Sequence, residues 1–242
     1  MGYGLMGTNV MNGSACILWH GHKVQFDTSG GLILNDETLL IADLHLGKGD
    51  SLSREGKGLY PVFDSLDGLQ LLENLVASYP ALKRVIFLGD SFHRPGSAMN
   101  LDEESSRILY HLNSKLPMTF VLGNHDPFLP ADIAARQTRR MLLDNILLGH
   151  EPIESSWPMI CGHLHPVVKI RVKGRSFRRR SFFVSEQHLI CPAMGRFSGG
   201  INVTDNVFRP FRRGEISAWL LSEKSVVKVP HDKWIEDRPR RL

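Results

Sequence analysis

The sequence has few cysteines, and none of its segments resembles a membrane span or an export signal. Cys16, Cys161 and Cys191 are widely spaced and odd in number, so no disulfide framework is implied. We expect Cys161, which ends an apolar run, to be a buried strand residue rather than a metal ligand. No apolar stretch approaches the roughly 20 residues needed to cross a bilayer. Residues 1–12 lack the basic and apolar regions of a signal peptide. These absences favour a cytoplasmic protein with reduced thiols and no membrane partner.

The length and the apolar content of the chain are sufficient for one large core. It has 242 residues, of which 42% are hydrophobic. We see no internal repeat and no linker, so we expect residues 1–242 to form a single domain.

Positive charge is concentrated late in the chain. The net charge is only +4, but one segment holds seven cations and no acid: Lys169, Arg171, Lys173, Arg175, Arg178, Arg179 and Arg180. Such a segment is either the solvated face of a hairpin or a surface that follows a polyanion. Phe177, Phe182 and Phe183 interleave with it, and exposed aromatic rings there could stack on bases. Phe182 and Phe183 could instead belong to a strand core.

Five polar motifs, each at the end of an apolar run, are the most informative feature of the sequence. The runs read as buried strands, and polar residues at the carboxyl ends of strands converge in an α/β sheet. The motifs are Asp43-Leu44-His45, Gly89-Asp90, Gly123-Asn124-His125-Asp126, Gly149-His150 and Gly162-His163-Leu164-His165. We expect the glycines before Asp90, Asn124, His150 and His163 to let the backbone pass close to the convergence point.

The remaining pattern predicts helices and further strands. We expect a short antiparallel meander over residues 15–35, a helix carrying Leu66 to Val76, and a helix carrying Ile108 to Leu116 that Asp102 or Asn100 caps. Residues 47–60 should form a loop over the site, and residues 132–143 a third helix. From Ile146 onward the chain should be strand-rich. Early βαβ units followed by many strands predict a two-sheet α/β sandwich flanked by helices.

The residue types in the five motifs suit the binding of two divalent cations. Two such ions about 3.5–4 Å apart bind phosphoester oxygens and lower the pKa of a bridging water. Carboxylates suit Mn²⁺ and Mg²⁺, and imidazoles extend the choice to Zn²⁺ and Fe²⁺. In Asp43-x-His45, both side chains lie on one side of an extended strand end.

The order of the motifs over residues 39–166 resembles the calcineurin-like metallophosphoesterase superfamily. More closely, Ile41 to Lys48, Pro192-Ala193 and Ser198-Gly199-Gly200 resemble the ligase-associated DNA damage response branch, the PdeM type. The resemblance implies a four-layer αββα sandwich with a dinuclear metal site at its strand ends. It also implies hydrolysis of phosphodiester bonds without a covalent intermediate, as a DNA endonuclease acting in repair beside an ATP-dependent ligase and a helicase. Mn²⁺ is the metal we expect first.

The resemblance further implies a role for each motif residue. One ion would be held by Asp43, His45 and His165, and the other by Asn124, His150 and His163, with Asp90 bridging both. His125 would protonate the leaving group or stabilise its developing charge. Asp126 would either orient His125 or cap the following turn.

One segment departs from the family pattern. Many members have an Asp-Arg pair after Gly-Asp, whereas this chain continues Ser91-Phe92-His93-Arg94. Arg94 keeps a phosphate-binding position, and His93 replaces the orienting Asp. Other phosphoesters, such as a nucleotide, a nucleotide-sugar or a phosphoprotein, stay open as substrates, as does a non-enzymatic scaffold, for which loss of ligands would be the signature.

Overall fold

The computed structural model describes residues 13–49, 51, 64–129, 133, 135–195 and 198–237. The first part of the chain builds one sheet and the α-helices beside it. In chain order the elements are β1 (Ala15–Trp19), β2 (His22–Phe26), β3 (Leu32–Leu34), β4 (Thr38–Ile41), α1 (Asp64–Ser78), β5 (Arg84–Leu88), α2 (Glu103–Lys115), β6 (Met118–Val121) and β7 (Arg136–Thr138). The strands lie in the order β1 to β7, antiparallel from β1 to β4 and parallel from β4 to β7.

The second part is strand-rich, as the sequence predicted. It contains β8 (Arg140–Leu143), β9 (Ile146–Gly149), β10 (Met159–Cys161), β11 (Pro166–Val172), β12 (Arg175–Val184), β13 (His188–Ile190), β14 (Ile201–Asn202), β15 (Ser217–Leu221) and β16 (Val226–Pro230). The second sheet has the order β14-β11-β12-β13-β10-β9-β8, and β15 pairs with both β12 and β16. Three 3-10 helices cover Ser97–Asn100, Asn206–Phe211 and His231–Lys233 in the described part of the chain.

Three clusters of buried apolar side chains hold the two sheets to each other and to the helices on their outer faces. Side chains such as Phe26, Ile160 and Phe182 fill the space between the sheets. Leucines of α1 and α2 pack on the outer face of the first sheet. Phe208, from a 3-10 helix, packs on the outer face of the second sheet. The four-layer arrangement is therefore present, with a fourth layer of 3-10 turns in the part of the chain that the structure describes.

Several local predictions are confirmed and two are corrected. Asp102 caps α2, because its Oδ1 accepts a hydrogen bond from the backbone N–H of Ser105 at 2.9 Å. Phe182 and Phe183 are fully buried strand residues, as is Cys161. Of the loop predicted over residues 47–60, residue 50 and residues 52–60 lie outside the described residues. Lys48, Gly49 and Ser51 are helical instead, because the backbone N–H of Ser51 donates to the carbonyl of Gly47. The helix predicted over residues 132–143 is replaced by β7 and β8, because backbone pairing with β6 and β9 outweighs local helix preference.

Candidate metal centre

All seven predicted ligands lie at the carboxyl ends of strands and come together between the two sheets. Asp43 and His45 follow β4, Asp90 follows β5, Asn124 follows β6, His150 follows β9, and His163 and His165 follow β10. The parallel pairing of β4, β5 and β6 places three of these ends at one edge of the first sheet. The parallel pairing of β9 and β10 does the same in the second sheet.

Two groups of side chains have the geometry of cation sites. Ligand atoms of Asp43, His45 and His165 lie within 4.8 Å of one another, and so do those of Asp43, Asp90 and His150. Asp43 belongs to both groups, so its carboxylate is placed centrally beside that of Asp90. In the first group, Asp43 Oδ1 lies 3.0 Å from His165 Nε2.

The second group gathers around His150. Its Nε2 lies 2.9 Å from Asn124 Oδ1, 3.3 Å from Asp90 Oδ2 and 3.2 Å from His163 Nδ1. The opposite nitrogen, Nδ1, lies 3.0 Å from the carbonyl oxygen of Leu88. A carbonyl only accepts, so Nδ1 donates and Nε2 faces the centre. An outer hydrogen bond of this kind is how proteins orient a histidine ligand.

Buried polar atoms without hydrogen bonds show that these residues fit a cation. Among the described residues, both ring nitrogens of His45 are buried and make no hydrogen bond, and His45 is only 3% exposed. Asp43 Oδ1 is also buried without a hydrogen bond of good geometry, although His165 Nε2 lies 3.0 Å from it. Each such atom costs about 1–3 kcal/mol when left unsatisfied. A divalent ion between the carboxylate and the imidazoles would satisfy atoms of both residues.

The protonation states follow from burial and from neighbouring charges. Burial, together with the positive charge of Lys48, lowers the pKa of His45 to about 2, so its ring is neutral. Burial opposes ionisation of Asp90, but the hydrogen bond and charge of His150 outweigh it and lower the pKa of Asp90 to about 2. Burial likewise opposes a proton on His150, but the hydrogen bond to Asp90 and the charge of Asp43 raise its pKa to about 9.

Backbone strain is concentrated at this centre. Five of the proposed ligands have the left-handed conformation: Asp43 (φ 52°), His45 (φ 51°), Asp90 (φ 49°), His163 (φ 68°) and His165 (φ 44°). This conformation costs roughly 1–2 kcal/mol for a residue other than glycine. Strained backbone that the surrounding fold maintains is typical of functional sites.

The motif glycines bring the backbone close to the ligands, as predicted. A Cβ at Gly123 would overlap Oδ1 of Asp90, and a Cβ at Gly162 would overlap Oδ2 of Asp43. At Gly89 the overlap would be with the ring of His150. The close approach at Gly149 is instead to the flexible end of Met159, so this glycine is less directly tied to the centre.

Asp126 supports the turn that carries Asp90. Its carboxylate accepts backbone N–H groups from Asp90 (3.0 Å), Ser91 (2.7 Å), Phe92 (3.1 Å) and Gly123 (2.9 Å). Burial raises the pKa of Asp126 to about 6. The hydrogen bonds found for Asp126 among the described residues do not include one to His125.

His125 lies at the exposed rim of the centre. Its Nδ1 donates to the carbonyl oxygen of His93 at 3.0 Å, and its Nε2 lies 4.0 Å from Asp90 Oδ2. The rings of His93 and His125 stack, with centroids 5.5 Å apart. His93 thus holds His125 through backbone and ring contacts, at the place where the family pattern has an Asp. Arg94 is exposed on the same loop, and its carbonyl accepts from Ser97.

Lys48, to which sequence reasoning assigned no role, lies beside the centre. Burial lowers the pKa of Lys48, and the charges of Asp43 and Asp90 oppose that shift. The only sequence signal was its position three residues after His45 in the motif that begins at Ile41.

Two hollows with basic walls adjoin the centre. One, of about 250 Å³, is lined by Asn124, His150, Glu151, Arg139 and Arg140. The other, of about 480 Å³, is lined by Arg178, Arg179, Arg180 and residues 198–200; we call it the Arg178 groove. The carbonyl of Gly199, a residue that lines this groove, accepts a hydrogen bond from Nδ1 of His165 at 3.1 Å, so the wall of the groove contacts a proposed ligand.

The sequence matches a family model over most of its length. The model for the calcineurin-like phosphoesterase family matches residues 37–237, and the chain therefore belongs to this family. It is a metal-dependent phosphoesterase, a hydrolase whose fold implies divalent metal ions. The predicted superfamily, fold class and enzyme class are confirmed.

Two solved structures align with most of the chain. Pseudomonas putida nuclease MPE aligns with a TM-score of 0.67 and 24% identity, over 89% of this chain and 100% of that one. YfcE, a phosphoesterase from E. coli, aligns with a TM-score of 0.38 and 16% identity, over 80% of this chain and 98% of that one. A search of curated proteins gave no match. In the part of the chain that the structure describes, no helix is both long and apolar enough to cross a membrane.

Proposed function

We propose that this phosphoesterase hydrolyses phosphodiester bonds within nucleic acid, and that its substrate is DNA undergoing repair. The observation that carries the proposal is the Arg178 groove, whose lining residue Gly199 accepts a hydrogen bond from His165 of the candidate metal centre. A basic groove next to a phosphate-cleaving centre suits a polymeric phosphodiester better than a small one. Pseudomonas putida nuclease MPE, which aligns over its full length, is a nuclease by name, and this supports the same substrate class.

The basic hairpin is organised in a way that favours this substrate. In β12 the exposed Arg179 lies over the ring of Phe177, with 6.0 Å between the guanidinium carbon and the ring centroid. Arg178 donates to the carbonyl of Gly200 at 2.6 Å and also pairs with Asp237. Arg180 is half-buried and donates to the carbonyls of Ala193 and Met194. Arg178 and Arg179 therefore offer charge to a ligand, whereas Arg180 supports the fold.

We assign the ligands as the motif order implies. One ion would be held by Asp43, His45 and His165 and a second by Asn124, His150 and His163, with Asp90 as the carboxylate that would serve both. Asp43, which belongs to both groups of close ligand atoms, lies beside it. The mixture of carboxylate, amide and imidazole groups suits Mn²⁺, with Zn²⁺, Fe²⁺ or Mg²⁺ as alternatives. When bound, the ions supply Lewis-acid activation of water and neutralise charge on the phosphate.

The protein's own groups complete the reaction. A water oxygen forms a new bond to phosphorus and releases a proton to solvent, while the bond from phosphorus to one ester oxygen breaks. The imidazolium form of His125 gives its Nε2 proton to that leaving oxygen and regains a proton from solvent. Its Nδ1–H stays bonded to the His93 carbonyl, which keeps Nε2 directed toward the centre. Arg94 binds a phosphate oxygen from the loop after β5, and Asp126 acts as a positioning residue for Asp90.

The proposal extends to the setting of the enzyme. We propose residues 1–242 as one metallophosphoesterase domain that acts beside an ATP-dependent DNA ligase and a helicase. These partners rest on the resemblance to the ligase-associated branch alone.

One substrate panel tests the proposed function. Enzyme reconstituted with Mn²⁺ is assayed on bis-p-nitrophenyl phosphate, p-nitrophenyl phosphate, and single- and double-stranded DNA. We expect cleavage of DNA and of the small diester, with the monoester slower. The double variant Arg178→Gln/Arg179→Gln should raise KM for DNA and leave the small diester unchanged. The variant Arg107→Gln/Lys115→Gln, which removes the same charge from α2, is the control. Cleavage of the monoester alone would refute the proposal.

A further inference from the structure

A pair of arginines lies where the chain crosses from the first sheet to the second. β7 ends at Thr138 in the first sheet and β8 begins at Arg140 in the second, so Arg139 alone separates them. Arg140 pairs with Gly149, the residue before His150. The crossing is therefore placed next to a proposed ligand by the register of β8 and β9.

Ligands from both sheets meet at this crossing. Asn124 follows a strand of the first sheet and His150 follows a strand of the second, and their side chains are 2.9 Å apart. Leu122, two residues before Asn124, donates its backbone N–H to the carbonyl of Thr138 at 2.8 Å. The crossing is thus tied by backbone hydrogen bonds to both ligand-bearing segments.

The arginines line the hollow of about 250 Å³ that opens on Asn124 and His150. Both are exposed. Among the described residues, neither forms an ion pair with a carboxylate, in contrast to Arg178, which Asp237 partly neutralises. The one acid among the described residues that line the hollow is Glu151, so the two arginines give it a positive balance.

This hollow and the Arg178 groove adjoin different sets of proposed metal-binding residues. The Arg178 groove reaches the centre through Gly199 and His165, whereas the hollow reaches it through Asn124 and His150. A chain of phosphates that crosses the centre from one group to the other would meet arginines on both sides. Guanidinium groups suit this role because their fork of donors matches the oxygens of a phosphate.

We propose that Arg139 and Arg140 form a second phosphate subsite, which binds a backbone phosphate beside the bond being cleaved. The subsite rests on the proposed function, since it serves a polymeric phosphodiester substrate. It makes the two arginines determinants of substrate length. A small diester fills the centre alone, whereas a polynucleotide also occupies the hollow.

The test compares DNA binding with small-diester turnover in Arg139→Gln/Arg140→Gln. Binding of a fluorescent single-stranded oligonucleotide is measured by anisotropy in EDTA, so that no strand is cut, at several salt concentrations. We expect Kd to rise about tenfold, as for removal of a charged hydrogen bond. The log–log salt slope should fall by about 0.7 for each phosphate that the variant no longer neutralises. With Mn²⁺, turnover of bis-p-nitrophenyl phosphate should stay within about twofold of the parent, because this small diester does not reach the subsite.

Two further variants sharpen the result. Arg139→Lys/Arg140→Lys keeps both charges, so it should restore most of the salt slope while recovering affinity only in part. Arg107→Gln/Lys115→Gln removes the same charge from α2 and should bind DNA like the parent.

Each alternative outcome has a distinct meaning. If Arg139→Gln/Arg140→Gln binds DNA like the α2 control, the subsite does not exist. If it slows the small diester as much as DNA, the arginines support the centre rather than the substrate, which also overturns the inference. If the parent shows no salt-dependent binding of DNA in EDTA but cleaves DNA with Mn²⁺, the subsite fails while the proposed function stands. If the parent also fails to cleave DNA with Mn²⁺, the proposed function fails, and the subsite fails with it.

Discussion

The carboxylate of Asp126 holds the backbone of Asp90. Its Oδ1 accepts the N–H of Asp90 at 3.0 Å, while Oδ2 accepts the next two N–H groups, from Ser91 and Phe92. A carboxylate buried to 2% exposure thereby fixes a left-handed residue whose own side chain faces the candidate metal centre. The motif Gly123-Asn124-His125-Asp126 therefore also fixes the backbone that follows β5.

Asp126→Ala should destabilise the fold as well as the centre. It leaves several buried N–H groups without an acceptor, so we expect the free energy of unfolding to fall by about 2–5 kcal/mol. Denaturant unfolding of metal-free protein measures this. Asp102→Ala removes an Asp that accepts backbone N–H at the cap of α2, and should cost only about 1 kcal/mol. Unchanged stability of Asp126→Ala with loss of turnover would instead indicate that Asp126 acts on His125.

Gly123→Ala should disrupt the centre through steric overlap alone. The new methyl group would overlap both the carboxylate and the backbone nitrogen of Asp90, so the backbone after β5 must shift. We therefore expect loss of bound metal, while most of the secondary structure is kept. Gly199→Ala is the matched control, because a Cβ there has nothing within 4 Å and the carbonyl that binds His165 is kept. Metal analysis and circular dichroism of both variants check the expectation, and equal metal content in the two would contradict it.

His125→Ala should separate chemistry from metal binding. We expect bound metal to be retained and turnover to fall by about 10²–10⁴-fold for substrates with poor leaving groups. The loss should be smaller for p-nitrophenolate esters, because that leaving group needs little protonation. Rates on a series of diesters of graded leaving-group pKa measure this. A loss that does not vary along the series would exclude the general-acid role.

The sequence predicted the centre better than its surroundings. Asp43, Asp90 and His150 follow short apolar strands. Parallel pairing brings the ends of β4 and β5 together in the first sheet and those of β9 and β10 in the second, whatever their separation in the chain, and the packing of the two sheets joins the two sets. The strands at Arg136–Thr138 and Arg140–Leu143 escaped prediction because they are largely exposed and carry no clear alternation of apolar residues. Their conformation comes from pairing with β6 and β9, which no local pattern encodes. The two arginines beside His150 were missed for the same reason.

The contacts that position motif residues from outside the motifs could not be predicted from the sequence either. His125 donates a hydrogen bond to the backbone carbonyl of His93. Any residue at position 93 has such a carbonyl, so the sequence could not predict this contact. Likewise, the hydrogen bonds of Arg180 to Ala193 and Met194 join segments that sequence reading treated as unrelated. Arg180 therefore looked like part of the basic surface, although it is a structural residue.

The central claim is a two-ion centre that Asp90 connects, and metal stoichiometry tests it most directly. Parent protein, Asp90→Ala and Asn124→Ala are reconstituted with Mn²⁺, freed of excess metal and analysed by mass spectrometry. We expect two ions per chain in the parent, loss of both in Asp90→Ala together with phosphodiesterase activity, and loss of mainly one in Asn124→Ala. Two fully occupied ions in Asp90→Ala would contradict the account.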